Sequence, residues 1–292
     1  MTGGLLIFLL CFIFVQTAPA ETVVRPDLIF AYSSKVFIDV DMRDAIAALK
    51  IYTDEIGRQL GYSTEIKIYE SLETLTREIQ SGRFDIIAMS SLDYIRVKDK
   101  VDIELAVGGL KGGKKSVKYL LLTHQKRGYT KLSDLRNKKL MMPKGDNMAQ
   151  MFLGTSLLRH KYGEGKGYFS SIEEKVKASH ALLSVFFGQA DACITTDVAL
   201  KTMAEMNPQV GRDLKVMASS PELITSLSVF RKSLSGDIKE KTMGVGRSLK
   251  LSQRGKQVLL LFKIEDLIPL DDFDLNSTKD LVSEYERLKG NR

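Results

Sequence analysis

One phrase is written twice in this chain: a glycine turn, an aspartate, and a short apolar run closing on hydroxyls. The first copy is Gly82-Arg83-Phe84-Asp85-Ile86-Ile87-Ala88-Met89-Ser90. The second is Gly188-Gln189-Ala190-Asp191-Ala192-Cys193-Ile194-Thr195-Thr196. Each follows an amphipathic helical stretch. Glycine suits the helix C-terminus because it takes a positive φ without a Cβ clash. An apolar run of four or five residues bounded by turn chemistry reads as a buried strand. A helix–turn–strand unit that recurs points to two α/β halves with a cleft between them, a shape suited to enclosing a small solute.

The 292 residues leave room for two ordinary domains. Hydrophobic content of 44% and charged content of 27% are those of a globular protein. Residues 5–15 form an unbroken apolar run that ends at Gln16-Thr17-Ala18-Pro19-Ala20. Ala18 and Ala20 make a small-x-small cleavage site, so residues 1–20 are expected to be a signal peptide, with Glu21 as the mature N-terminus. Met1 to Gly4 carry no Lys or Arg, unlike the usual positive start of such a segment. The mature chain keeps a formal charge of +7 and a single cysteine, Cys193, expected as a small buried hydrophobe. The positive charge permits an anionic partner. Nucleic acid is not expected, because Lys and Arg are spread along the chain. Lys111, Lys114, Lys115 and Lys118 are read as a solvated face.

Strand and helix signals alternate. Strands are expected at 28–32, 63–69, 85–89, 101–107 and 116–123, with helices at 42–60 and 72–80. A second series follows, with strands at 139–142, 175–178 and 192–195 and helices at 148–161 and 181–187. Strands at 214–217 and 226–230 precede a mostly helical C-terminal region. Such alternation means mixed sheets covered by helices. The lobes are expected at 21–120 plus 226–292 and at 121–225. Gly108 to Lys115 nearly match a phosphate-binding loop, but Lys115 replaces the metal-binding hydroxyl and a strand follows where a helix should start. This segment is read as a hairpin tip.

Catalysis finds no support. The three histidines, His124, His160 and His180, share no metal-ligand spacing, and neither a CxxC nor a G-x-S-x-G elbow occurs. No catalytic residue, metal site or cofactor is expected. The chain does offer strand-to-helix turns. In open α/β sheets the carboxyl ends of strands define the ligand crevice, and helix N-termini there present free N–H groups. The turns at Tyr32-Ser33, Ser90-Ser91 with Tyr94, Asp146-Asn147, Ser179-His180 and Thr196 carry the candidate contacts. For each polar residue among them a plain helix cap is the competing reading.

At these residues the chain resembles a known family. Residues 69–94 resemble the first lobe of the phosphate- and phosphonate-type periplasmic substrate-binding proteins of ABC transporters, a helix, a Gly-x-x-Asp turn and a strand leading to a tyrosine. Lys131-Leu132-Ser133-Asp134-Leu135-Arg136-Asn137-Lys138-Lys139-Leu140 is similar to that family's entry into the second lobe. Ala178-Ser179-His180-Ala181-Leu182 and Gly188-Gln189-Ala190-Asp191-Ala192 resemble its second-lobe helix and strand, and residues 261–275 its C-terminal tail. The resemblance implies the type II periplasmic-binding-protein fold, two lobes of mixed sheet flanked by helices and closing about a hinge. It implies a periplasmic protein, without enzyme activity and acting as a monomer, that captures a small polar, phosphonate- or phosphate-like ligand for the membrane permease of an ABC importer. A ligand-sensing subunit serving a sensor kinase is the alternative.

The ligand contacts expected from the strand-to-helix turns are Tyr32, Ser33, Ser90, Ser91, Tyr94, Asp146, Asn147, His180 and Thr196, and of these Tyr94 and His180 match positions that the resemblance implies for ligand contact. One departure stands out. Gly145-Asp146-Asn147-Met148-Ala149 replaces the family's Ser/Thr-rich anion loop, and Ala181 replaces an acidic residue. A carboxylate about 4 Å from a phosphonate charge costs on the order of 4 kcal/mol at an effective dielectric near 20. That exceeds the ~0.3–1 kcal/mol that a helix N-terminus returns. Asp146 therefore either faces a protonated or zwitterionic solute or caps its helix.

Overall fold

The computed structural model describes residues 27–290 except 166, so the expected signal peptide at 1–20 lies outside the described residues. The chain starts with β1 (Leu28–Ser33), α1 (Met42–Leu60), β2 (Thr64–Tyr69), α2 (Leu72–Gln80), β3 (Ile86–Ser90), α3 (Ser91–Val97) and β4 (Ile103–Leu110). It continues through β5 (Val117–His124), β6 (Lys139–Pro143), α4 (Asn147–Arg159), β7 (Ser171–Lys175), α5 (Ala178–Phe186), β8 (Ala192–Thr196), α6 (Asp197–Met206), α7 (Pro208–Asp213) and β9 (Leu214–Leu223). The last elements are β10 (Ser226–Arg231), α8 (Gly236–Ser248), α9 (Gln253–Leu261), β11 (Asp266–Pro269) and α10 (Asn276–Gly290).

These strands form two sheets, ordered β11-β4-β10-β3-β1-β2 and β7-β6-β8-β5-β9. Each is built on three parallel strands, β2-β1-β3 and β7-β6-β8, the second member at the centre. Beside each trio lies one antiparallel strand, β10 in the first sheet and β5 in the second. That strand is the first the chain makes on entering the lobe from the other side. The two lobes are thus copies of one plan, joined at residues 111–116 and at Ile224 and Thr225. Alternation splits the buried strand residues between two faces. Leu28, Phe30 and Tyr32 pack against α1, while Ile29 and Ala31 face α2 and α3. In the second sheet Met141 and Cys193 face α5, while Leu140, Met142 and Ile194 face α4.

The repeated phrase does the same work in both lobes. Gly82 and Gly188 have φ of 69° and 75°. The Asp85 N–H donates to Ile29 O, and the Asp191 N–H to Lys139 O, each at 3.0 Å. Each carboxylate then accepts the N–H of that same neighbour, from Ile29 at 2.9 Å and from Lys139 at 3.0 Å. The aspartate thereby locks the start of one parallel strand to the next.

Several details depart from the sequence expectations. Val117 to Leu120, placed in the first lobe, lie in β5 of the second sheet. Helix α10, also placed there, packs against α4: Tyr285 covers Gly154, and Arg159 donates to Glu284 at 2.7 and 2.5 Å. The strand expected at 175–178 is β7, and it ends at Lys175. Its Glu-Glu-Lys stretch reads as polar because β7 is an edge strand. Gly108 and Gly109 belong to β4, not to a loop tip. A Cβ on either would meet Leu270 or Ile264 within 2.7 Å, so β4 needs glycine where the C-terminal segment crosses it. The turn itself is confined to Lys111–Lys114, with Gly112 and Gly113 at φ 56° and 74°, the pattern of a tight hairpin turn.

Candidate functional site

The carboxyl ends of both parallel trios open onto one inter-lobe cavity of about 1680 Å³. That exceeds the ~300–1,000 Å³ of a fitted ligand pocket, so the space is a cleft with an outer groove. Five of the expected contacts line it: Tyr32, Ser90, Asp146, Asn147 and Thr196. Ser33, Ser91, Tyr94 and His180 do not. Ser33 caps a short 3-10 turn at residues 34–36. The Ser91 hydroxyl donates to Ile224 O and so ties α3 to the second crossover. Tyr94 is buried among Leu270, Leu275 and Val97 in the first lobe. His180 is exposed, because Ala178, Ala181, Leu182 and Val185 set the buried face of α5.

Most hydroxyls at the strand ends are already engaged as caps. Ser90 accepts the Asp93 N–H at 3.1 Å, and Thr196 accepts the Ala199 N–H at 3.2 Å. Ser179, expected to cap α5, is its second residue. Lys177 occupies the cap position and gives no side-chain hydrogen bond.

Asp146 settles the question its sequence position posed: its carboxylate caps α4. Gly145 turns the chain at φ 70°, and Asp146 Oδ1 then accepts the N–H groups of Met148 and Ala149 at 3.1 and 3.0 Å. The Tyr119 hydroxyl, from β5, lies 3.0 and 2.9 Å from the two carboxylate oxygens. Donors that could hold an external oxyanion at this helix are thus spent on an internal one. Burial raises the Asp146 carboxyl above its ordinary value, with the bonds from Ala149, Tyr119 and Met148 and the charge of Lys111 opposing it. Burial, then the Asp146 charge, pushes the Tyr119 hydroxyl well up, so it remains a donor.

Lys111 was missed in the sequence, where it belonged to a cluster read as solvated. Lys114 and Lys115 do face outward, pairing with Glu222 and Asp274 at 3.0 Å. Lys111 instead lines the cavity at the first crossover. Its amine reaches Thr225 Oγ1, on the second crossover, at 3.5 Å. Among the described residues no carboxylate lies within ion-pair distance of it. Burial lowers its pKa, with the Asp146 charge acting the other way. Only the folding of β4 and β5 into different sheets turns this lysine inward, and no local pattern announces that.

The described residues hold no cluster of His, Cys, Asp and Glu able to bind a metal, and no helix long and apolar enough to cross a membrane. Solved structures share the architecture. A binding-protein component of an ABC phosphonate transporter from Pseudomonas aeruginosa is 15% identical, with a TM-score of 0.64 over 90% of this chain and 87% of that one. A Prochlorococcus marinus protein in complex with methylphosphonate is 12% identical, with a TM-score of 0.64 over 89% and 98%. A Xanthomonas citri protein bound to ATP is 14% identical, with a TM-score of 0.63 over 90% and 98%. At these identities the likeness is one of fold, the two-lobed type II periplasmic-binding architecture. The family model described as the periplasmic substrate-binding protein of the phosphonate ABC transporter matches residues 39–275, and the chain belongs to that family.

Proposed function

We propose that this protein captures a small oxyanion-bearing solute in the inter-lobe cleft and hands it to the membrane permease of an ABC importer. In this reading residues 1–20 are a cleaved export signal, and the mature protein works as a periplasmic monomer without enzyme activity. The observation that carries the ligand class is Lys111: a half-buried ammonium in the cleft wall with no carboxylate within ion-pair distance among the described residues. A desolvated cation without a counter-charge is costly, and an anionic ligand supplies one. Because Asp146 fills the α4 N-terminus, the oxyanion is held by the hinge lysine and by strand-end polar groups rather than by the loop at 145–149.

Thermal denaturation against phosphonates, phosphate, phosphate esters, sulfonates and amino acids tests this. A ligand present at about 100 times its Kd adds about 2.7 kcal/mol of stability. Oxyanions should raise the melting temperature of wild type, and Lys111→Met should abolish the rise. A panel without any shift, or shifts confined to uncharged solutes, would sink the proposal.

A further inference from the structure

Helix α5 enters the cleft without a cap of its own, and the missing cap comes from the other lobe. The Ala178 N–H donates to Asp39 Oδ1 at 3.1 Å. Asp39 lies before α1 in the first lobe, at φ 68°, a left-handed conformation that Asp adopts more readily than most residues. Its second oxygen is bonded to Lys263 Nζ, just beyond α9. Only 11% of its side chain is exposed. The same cavity wall holds the Thr195 hydroxyl, which is fully buried and has no hydrogen-bond partner among the described residues.

Two of the second-lobe helix N-termini at the cleft, those of α4 and α5, thus carry a carboxylate from elsewhere in the chain or from their own cap. The two differ in kind. Asp146 belongs to the segment it caps and moves with α4. Asp39 belongs to the opposite lobe, so its bond to Ala178 lasts only while the lobes stay together. An N-terminal N–H backed by a lysine is also what an external oxyanion seeks.

We propose that Asp39 is a cross-lobe latch and an internal competitor for the ligand: its carboxylate holds the empty cleft together at the α5 N-terminus, and the acid group of an incoming oxyanion takes that seat as Asp39 leaves. The competition rests on the solute-binding reading above, whereas the latch does not. Departure of Asp39 frees Lys263 and the Ala178 N–H together, with Lys111 and the Thr195 hydroxyl in the same wall. Apparent affinity falls in proportion to the fraction of molecules with the seat vacant, so removing the competitor tightens binding.

The test uses the mature protein and two variants that break the bond from opposite sides. Asp39→Gly removes the carboxylate acceptor and suits the left-handed backbone at this position. Ala178→Pro removes the donor at the first helical position, where proline is tolerated, and Lys177 before it is already extended at ψ 134°. Small-angle X-ray scattering without solute should give a larger radius of gyration for both variants than for wild type. An unchanged radius in both overturns the latch. Calorimetric titration with methylphosphonate and with inorganic phosphate should show Asp39→Gly binding roughly tenfold tighter than wild type. Weaker binding in that variant overturns the competition and makes Asp39 a ligand contact or a support. If no protein binds either probe, the competition falls together with the oxyanion reading, while scattering still decides the latch.

Discussion

The corners at Asp85 and Asp191 are the same device in two settings. Both aspartates take the N–H of the adjacent parallel strand, at 2.9 Å from Ile29 and 3.0 Å from Lys139. Their second oxygens differ. Asp85 accepts from the Arg231 guanidinium at 2.6 Å, on β10, the strand that returns from the other lobe. Asp191 accepts from the Tyr129 hydroxyl at 2.9 Å, and Arg127 stays 3.9 Å away. The Asp85 side chain is 7% exposed and that of Asp191 18%. A turn motif therefore fixes the backbone role, while the lobe around it fixes what the role is worth.

The largest expected effect is at the first corner. Asp85→Ala leaves the Ile29 N–H unpaired and the half-buried Arg231 guanidinium without its counter-charge, and should cost about 3 kcal/mol in urea denaturation. Asp191→Ala strands the Lys139 N–H beside a neutral partner and should cost about 2 kcal/mol. Equal losses at the two sites would erase the distinction. The cleft comes next. Tyr119→Phe removes one of the donors on Asp146 and should cost about 1 kcal/mol, since the two helix N–H groups remain.

A smaller effect depends on pH. Burial raises the Asp146 carboxyl above its ordinary 3.8. An acid held above its unfolded value binds its proton more tightly in the fold, so its contribution to stability is greatest below the unfolded value. That contribution is lost as pH rises through the folded one. Asp146→Asn removes the titration, so its urea midpoint should gain on that of wild type as pH climbs from the ordinary carboxylate range. A constant difference between the two proteins would contradict it. The smallest expected effect is at Cys193, inside the second copy of the phrase. Burial pushes its thiol far up, so it should resist a thiol reagent in the native protein and react on unfolding.

Much of the frame was legible. Gly82 and Gly188 had to end helices, Asp85 and Asp191 had to sit in turns, and the apolar runs after them had to be central strands. The binding site was legible only in outline. Ser90, Asp146 and Thr196 sit where strand-end chemistry placed them, yet each is occupied as a cap. Tyr94 and His180 follow the family's spacing, but the packing of α3 and α5 turns one into the core and the other into solvent. Lys111, Asp39 and Lys263 carried no local sign of function, because each gains its meaning from a segment far along the chain.

The sequence alone determined the paired α/β units, their glycine turns and the buried faces of their strands, because these follow from periodicity and backbone sterics over a few residues. Tertiary structure decided which charges meet. Asp39 reaches Ala178, and Lys111 reaches Thr225, only because the chain crosses twice between two sheets. A hydrogen bond between segments so far apart in sequence depends on the lobe geometry that brings them within about 3 Å, a length no local pattern encodes.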